Sequence, residues 1–233
     1  MRESTGLSSE GWRRIEELKR DGQLHETGLA EVFFEEDSLE PVPVPGARNG
    51  PSHVLVIGLF DGMGCLRIAA ERLGLKVIGY ISSEIDRSAK RLVRLRWPGV
   101  VEWNDISQVD RDVVERTLLS FAGLVSVVWI GAGIPCQDLS GYNKSGKDHL
   151  IGHVPRIIHL VHESLKVPIV WMVENVASMS TPNLSSISSL LGVKPYKACA
   201  SDLHEVARSR YYWFSYKLSS CDYLEIVEKA IVL

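Results

Sequence analysis

Cysteine is scarce and scattered in this chain: Cys65, Cys136, Cys199 and Cys221 are all it has, and no two form a Cys-x-x-Cys pair. That spacing argues against both a disulfide framework and a structural zinc site, and it suits a reducing compartment. No metal is expected. A surplus of charge is missing as well. Lys and Arg number 26 against 29 Asp and Glu, a net charge of -3, so there is no general footprint for phosphate and any nucleic-acid contact must be local. The longest apolar run, Gly123 to Ile134, is too short and too interrupted by glycine to cross a bilayer, so no membrane partner is expected. Met1 is followed by Arg2 and Glu3, which is not the start of a secretory signal. What the sequence does have is 233 residues, 45% of them hydrophobic, enough for one soluble α/β core with terminal extensions.

The first fifty residues differ from the rest. A short helix is expected around Trp12 to Lys19, followed by an acidic, proline-punctuated stretch from Glu35 to Pro45, with Pro41 to Asn49 an extended linker. From His53 onward, apolar runs of strand length alternate with segments of helical periodicity, the pattern of a parallel sheet with crossover helices. The expected strands are Val54 to Phe60, Lys76 to Ser82, Leu124 to Ile130, Pro168 to Val173, and two later ones near Tyr196 to Ala200 and Tyr211 to Tyr216. Leu66, Ala69, Ala70 and Leu73 recur at helical spacing and Gly74 ends that helix. A second helix, Asp86 to Trp97, carries Arg87, Lys90, Arg91, Arg94 and Arg96, read here as a solvated face. The expected division is an extension over 1–50, a core over 51–220 and a tail over 221–233.

The first strand ends in Phe60-Asp61-Gly62-Met63-Gly64. Glycines at that point let the backbone turn sharply and approach a ligand above the carboxyl end of the strand. A dinucleotide fingerprint would need a third glycine where Arg67 stands and no Asp within the turn, so a nicotinamide cofactor is disfavoured. Asp61 beside the glycines would repel phosphate and suit a cation. Glu84 follows Gly64 by twenty positions and ends the second strand, where nucleotide-binding α/β folds place a carboxylate on ribose hydroxyls. Asp105 is a third carboxylate on the same rim, suited to an adenine amino group. Each alone is the kind of residue that ordinarily only solvates a loop; a ligand with ribose, adenine and positive charge would use all three.

Cys136 follows a glycine-rich strand exit and Pro135, then opens a polar loop from Gln137 to His149 that holds Lys144 and Lys147. A solitary cysteine is by default a small inert hydrophobe. A thiol at the carboxyl edge of the sheet, above a cofactor cleft, is placed as a nucleophile would be. The next strand delivers Glu174 and Asn175 to the same edge, where an ionisable group needs a partner or a task. Arg208-Ser209-Arg210 precedes Tyr211-Tyr212-Trp213-Phe214, and alternation in a strand sends both arginines to one side.

On these residues the stretch from His53 to Leu218 resembles the cytosine-5 DNA methyltransferases, with its closest likeness to the de novo type found in animals. The matching pieces are Phe60 to Gly64, Tyr80 to Glu84, Asn104-Asp105-Ile106, Gly133 to Ser140, Glu174-Asn175-Val176 and Arg208 to Trp213. The acidic, then proline-rich approach from Phe33-Phe34 through Pro45 resembles the lead-in of that subgroup. The resemblance implies a Rossmann-like S-adenosylmethionine-dependent methyltransferase fold, a mostly parallel, twisted sheet with helices on both faces. It implies S-adenosyl-L-methionine as methyl donor, S-adenosyl-L-homocysteine as product, and a nuclear location. It also implies roles: Cys136, Glu174, Arg208 and Arg210 in catalysis; Phe60, Asp61, Gly62, Gly64, Glu84, Ile85, Asp105, Ile106 and Pro135 on the cofactor; Gln137, Ser140, Asn175, Lys144 and Lys147 on DNA.

The chemistry so implied begins with a thiolate, which at an ordinary thiol pKa of about 8.5 is a small fraction near neutrality unless a positive charge assists. The target base must leave the stack to be reached, and the loop from Gln137 to His149 would close behind it. This sequence departs from the family in two places. Val206 stands where the family has a glutamine. Ser219 to Leu233, expected to form a short helix with Leu224, Val227 and Ile231 on one face, resembles neither of the family's last motifs. The first expectation is therefore a DNA enzyme whose recognition elements are missing or supplied by a partner, the second a catalytically silent binding or regulatory module, and the third a cytosine-5 methyltransferase acting on transfer RNA.

Overall fold

The computed structural model describes residues 53–135, 150–199 and 208–216. The expected helix near Trp12, the linker, the loop from Gln137 to His149 and the tail lie outside the described residues. Among the described residues, seven strands form one sheet: β1 (His53–Leu59), β2 (Lys76–Ser83), β3 (Val101–Glu102), β4 (Val127–Gly133), β5 (Ile169–Val176), β6 (Tyr196–Cys199) and β7 (Ser209–Phe214). Their order across the sheet is β3-β2-β1-β4-β5-β7-β6. The first five are parallel, and β7 alone runs against its neighbours, between β5 and β6. A helix precedes each return of the chain to the same end of the sheet: α1 (Cys65–Arg72), α2 (Arg87–Arg96), α3 (Arg111–Leu118), α4 (His153–Leu165) and α5 (Thr181–Leu191).

Two cores result, one on each face. Leu66 and Ala70 of α1 and Val93 of α2 pack with Val54, Val56, Tyr80 and Val127. On the other face, α3, α4 and α5 bring Val114, Leu118, Ile157, Val161 and Ile187 against Leu55, Ile57, Ile130, Ile169 and Val173. β1 is therefore covered on both sides, which is why it reads as a near-continuous apolar run. β5 alternates between buried and half-buried residues, because one of its faces is only partly covered. Helix ends follow local chemistry. The side chains of Asp86 and Asp110 accept from Ala89 N–H at 2.7 Å and Val113 N–H at 2.8 Å as N-caps, and Gly192 closes α5 at a φ of 69°.

The expected basic helix is present with Asp86 as its cap, and part of its charge is engaged. Lys90 lies 3.1 Å from Glu102, Arg94 pairs with the same carboxylate, and Arg96 sits 5.0 Å over the Trp97 ring. One strand boundary differs from expectation. β4 begins at Val127, not Leu124, because Leu124 and Val125 N–H groups donate to the Phe121 carbonyl and close a turn there. It also runs on through Gly131-Ala132-Gly133, expected as the exit, since these pair with β1 and β5. The side chain of Leu66 occupies the place a Cβ on Gly131 would take, at 2.7 Å. Gly131→Ala must displace the Leu66 side chain, and a cost of about 1–3 kcal/mol is expected in urea unfolding.

Candidate functional site at the carboxyl edge of the sheet

The turn after β1 is built on left-handed backbone: Phe60, Gly62 and Gly64 have φ of 52°, 56° and 80°. For Phe60 this conformation is costly and must be held by its surroundings. Asp61 does the holding. Its N–H donates to the Ser83 carbonyl at 3.2 Å, and its carbonyl accepts from Gly64 N–H at 3.0 Å. Its carboxyl group folds back beneath β1 into space left by Gly58, where a Cβ would stand 2.0 Å from Oδ1. There Oδ2 accepts from the Tyr80 hydroxyl and from Ser82 Oγ, the latter at 2.6 Å.

This corrects the reading of Asp61 as a charge turned toward a cationic ligand: its side chain is spent inside the turn. Burial pushes its pKa above the ordinary carboxylate value, opposed by the hydrogen bonds from Ser82 and Tyr80 and assisted by Glu84. The Tyr80 phenol is likewise pushed up, chiefly by burial and then by Asp61. Tyr80 and Ser82 were not singled out in the sequence. Their alternation with Glu84 along one strand face was the available signal.

Glu84 spans the tips of β1 and β2. Its Oε2 accepts from Gly62 N–H at 2.8 Å, and its Oε1 accepts from Ile85 N–H and Asp86 N–H, each at 2.8 Å. Ile85 is exposed. Beyond β3, Asp105 is exposed at the start of a short 3₁₀ turn, Ile106–Gln108, where its Oδ1 accepts from Ser107 N–H at 2.9 Å and Ser107 Oγ at 2.8 Å. The Ile106 side chain is in the core, which corrects any reading of that side chain as a ligand contact and leaves the backbone to serve.

On the other side of the turn, β4 ends between the two halves of the site. A Cβ on Gly133 would lie 3.7 Å from Glu174 Oε2 and 3.8 Å from the Phe60 carbonyl oxygen. Glu174 stands on the partly covered face of β5, and its Oε1 is 2.5 Å from Arg210 Nε. The antiparallel pairing of β5 with β7 puts them on one face, since Glu174 pairs with Tyr212 and Val176 with Arg210. Arg210 Nη1 also donates to the Ser209 carbonyl at 2.9 Å. Arg208, just before β7, is exposed, as is Pro135. Burial, and then the nearby Glu174 carboxylate, push the Tyr212 phenol up.

Asn175 points to the opposite face of β5 and is 1% exposed. Its Nδ2 donates to the Ile134 carbonyl at 3.3 Å, its Oδ1 accepts from Val176 N–H at 2.7 Å, and Ile134 N–H donates to the Glu174 carbonyl at 3.3 Å. The side chain, expected on substrate, ties the end of β4 to β5. Cys136, Gln137, Ser140, Lys144 and Lys147 lie outside the described residues.

The described rim thus runs from Asp105 through Glu84, the glycine turn and Gly133 to Glu174 and Arg210. One end offers carboxylates and open backbone over Gly62, which has nothing within 4 Å of a built Cβ. That suits the hydroxyls, amino group and positive charge of an adenosine sulfonium. The other end offers an acid and a guanidinium for a polar heterocycle.

Comparison with known proteins accords with this geometry. A family described as C-5 cytosine-specific DNA methylase matches residues 54–198, more than half of the chain. DNA (cytosine-5)-methyltransferase DRM1 of Arabidopsis thaliana is 29% identical over 100 residues, 40% of this chain and 16% of that protein. The rice (Oryza sativa subsp. japonica) protein DRM2, of the same description, is 27% identical over 107 residues, 44% of this chain and 17% of its own length. The matched segment is thus under a fifth of these relatives. Among solved structures, methyltransferase EhMeth of Entamoeba histolytica superposes with a TM-score of 0.52 at 19% identity, covering 70% of this chain and 52% of that one. A prophage-encoded E. coli protein described as a DNA modification methyltransferase gives 0.51 at 23%, covering 69% and 46%. These two likenesses establish the fold.

The buried carboxyl makes a prediction about pH. Because the folded-state pKa of Asp61 is raised, its protonated form is the better tolerated, and its contribution to stability is lost as pH rises from the ordinary value of 3.8 through the raised one. Asp61→Asn removes that dependence. The melting temperature of the variant minus that of the wild type should therefore climb with pH across that window and then level off; a flat or falling difference would show an Asp61 that ionises freely.

Proposed function

Because the chain belongs to the C-5 cytosine-specific DNA methylase family, we propose that it transfers a methyl group from S-adenosylmethionine to C5 of cytosine in DNA through a covalent adduct on Cys136. The observation that carries this reading is the meeting of Glu174 and Arg210 beside the glycine turn, with the Cβ-less Gly133 between Glu174 and the Phe60 carbonyl. A nucleophile three residues after Gly133 would enter between an acid and a cofactor cradle.

Glu84 and Asp105 would hold the ribose hydroxyls and adenine amino group, with Phe60, Gly62, Gly64, Ile85, Pro135 and the Ile106 backbone lining the cofactor. S-adenosylmethionine supplies an electrophilic methyl on a sulfonium. Glu84 already accepts three backbone N–H groups, so ribose hydroxyls would be taken up by an oriented carboxylate at little reorganisation cost.

C5 of cytosine becomes a nucleophile only when the ring's conjugation is broken. The Cys136 thiolate adds to C6 while Glu174 supplies a proton to N3 and Arg210 stabilises charge at O2. With Oε1 held by Arg210, Oε2 is the oxygen turned to Gly133 and available to the base. C5 takes the methyl, then loses its proton, and the C6–S bond breaks to restore the ring and release Cys136. Arg208, exposed at the start of β7, would contact a phosphate or the polar loop, and Gln137, Ser140, Lys144 and Lys147 would meet the DNA around the flipped base. The family likeness favours the nucleus.

A duplex containing 5-fluorocytosine tests this, because fluorine at C5 cannot be lost and the adduct persists. With S-adenosylmethionine present, a denaturation-resistant complex is expected for the wild type and none for Cys136→Ala. Glu174→Gln should slow its formation by at least about a hundredfold. An adduct on a transfer RNA and not on the duplex would move the substrate to RNA. No adduct with either, despite measurable cofactor binding, would make the chain a silent binding module.

A further inference from the structure

Arg156 lies in the first turn of α4 and is 8% exposed. Its guanidinium leaves the helix toward the loop after β3. Nη2 donates to the Ile106 carbonyl at 2.8 Å and Nη1 donates to the Val109 carbonyl. Nε and Nη2 lie 3.3 Å and 2.9 Å from His153 Nδ1, which steadies the plane of the group. The two carbonyls belong to the first residue of the 3₁₀ turn Ile106–Gln108 and to the residue that closes it. The turn is therefore fastened twice. Asp105 holds its start through Ser107, and Arg156 holds both its first residue and its close from a different element.

A buried guanidinium must satisfy its donors, and a planar fork that meets two carbonyls at once fixes both distance and orientation in a way a single ammonium cannot. We propose that Arg156 is a positioning residue for selectivity toward adenine. It sets where the Asp105–Ile106 segment stands against the ligand's base by holding the backbone of that segment. The proposal rests on the cofactor reading above. Its chemical content is specific: a carboxylate at Asp105 accepts from the exocyclic amino group of adenine but meets an oxygen lone pair in hypoxanthine. A correctly placed Asp105 discriminates between the two, and a displaced one does not.

The test measures binding of S-adenosylhomocysteine and of its inosine counterpart by titration calorimetry, with no DNA present. Wild type should prefer the adenine ligand. Arg156→Lys, which keeps the charge but loses the fork, should weaken the adenine ligand by at least about tenfold and the inosine ligand much less, so that the preference collapses. A purely structural role would weaken both alike, and an unchanged ratio overturns the proposal while leaving the cofactor reading intact. A wild type that binds neither ligand overturns that reading and the proposal with it. Should Arg156→Lys lose its native circular dichroism, hydrogen exchange in the wild type decides. Adding S-adenosylhomocysteine must raise protection at the amides of Ser107, Gln108 and Val109, and no change there overturns the proposal.

Discussion

Asp61 turns its carboxyl group back beneath β1, into room that only Gly58 leaves, and accepts there from the hydroxyls of Tyr80 and Ser82. That anchor helps hold Phe60 in left-handed backbone and ties the turn to the sheet. The anchor works because it joins two adjacent strands. Its side chain binds β2 while its amide binds the Ser83 carbonyl, so the first two strand tips are locked as one piece. A buried carboxyl is an expensive fastener, and the raised pKa of Asp61 is the measure of that expense. Its two hydroxyl donors keep the cost tolerable.

From this piece the rest of the rim is positioned by short links. Glu84 closes the far side of the glycine turn through Gly62, and Ser83 Oγ reaches the Asn104 carbonyl at 3.2 Å just before Asp105. Gly133 brings the tip of β4 close to the Phe60 carbonyl on one side and the Glu174 carboxylate on the other. Asn175 fastens the same tip from beneath. The outcome is a continuous edge on which carboxylates and an acid–guanidinium pair come from elements far apart in the chain. Side chains already bonded to backbone keep such an edge in register before a ligand arrives.

Much of this was legible in the residues. The alternation of apolar runs with helical periods located every strand but β3 within a few positions, since burial on two faces leaves an unbroken apolar record. Departures arose where a neighbour, not the residue, made the decision. The start of β4 moved because a turn at Phe121 captured Leu124 and Val125. Its glycines stayed in the strand because they pair with β1 and β5, and Leu66 of α1 packs where a Cβ on Gly131 would stand. Glu174 and Asn175 are adjacent in sequence, and period-two geometry sends them to opposite faces, one to the open edge and one into the core.

The sequence by itself determined the fold class, the family and the identity of the acidic and basic groups at the strand ends, because these depend on residue type and on spacing along the chain. Only the tertiary structure decided which way those groups face. Asp61 turned inward because Gly58 left it room, Asn175 became a fastener because its side of β5 is covered, and Arg210 met Glu174 because β7 enters antiparallel beside β5. Arg156 drew no notice in the sequence, since its partners are two backbone carbonyls about fifty residues away. Carbonyls carry no residue signature, so contacts of that kind emerge only when the chain has closed on itself.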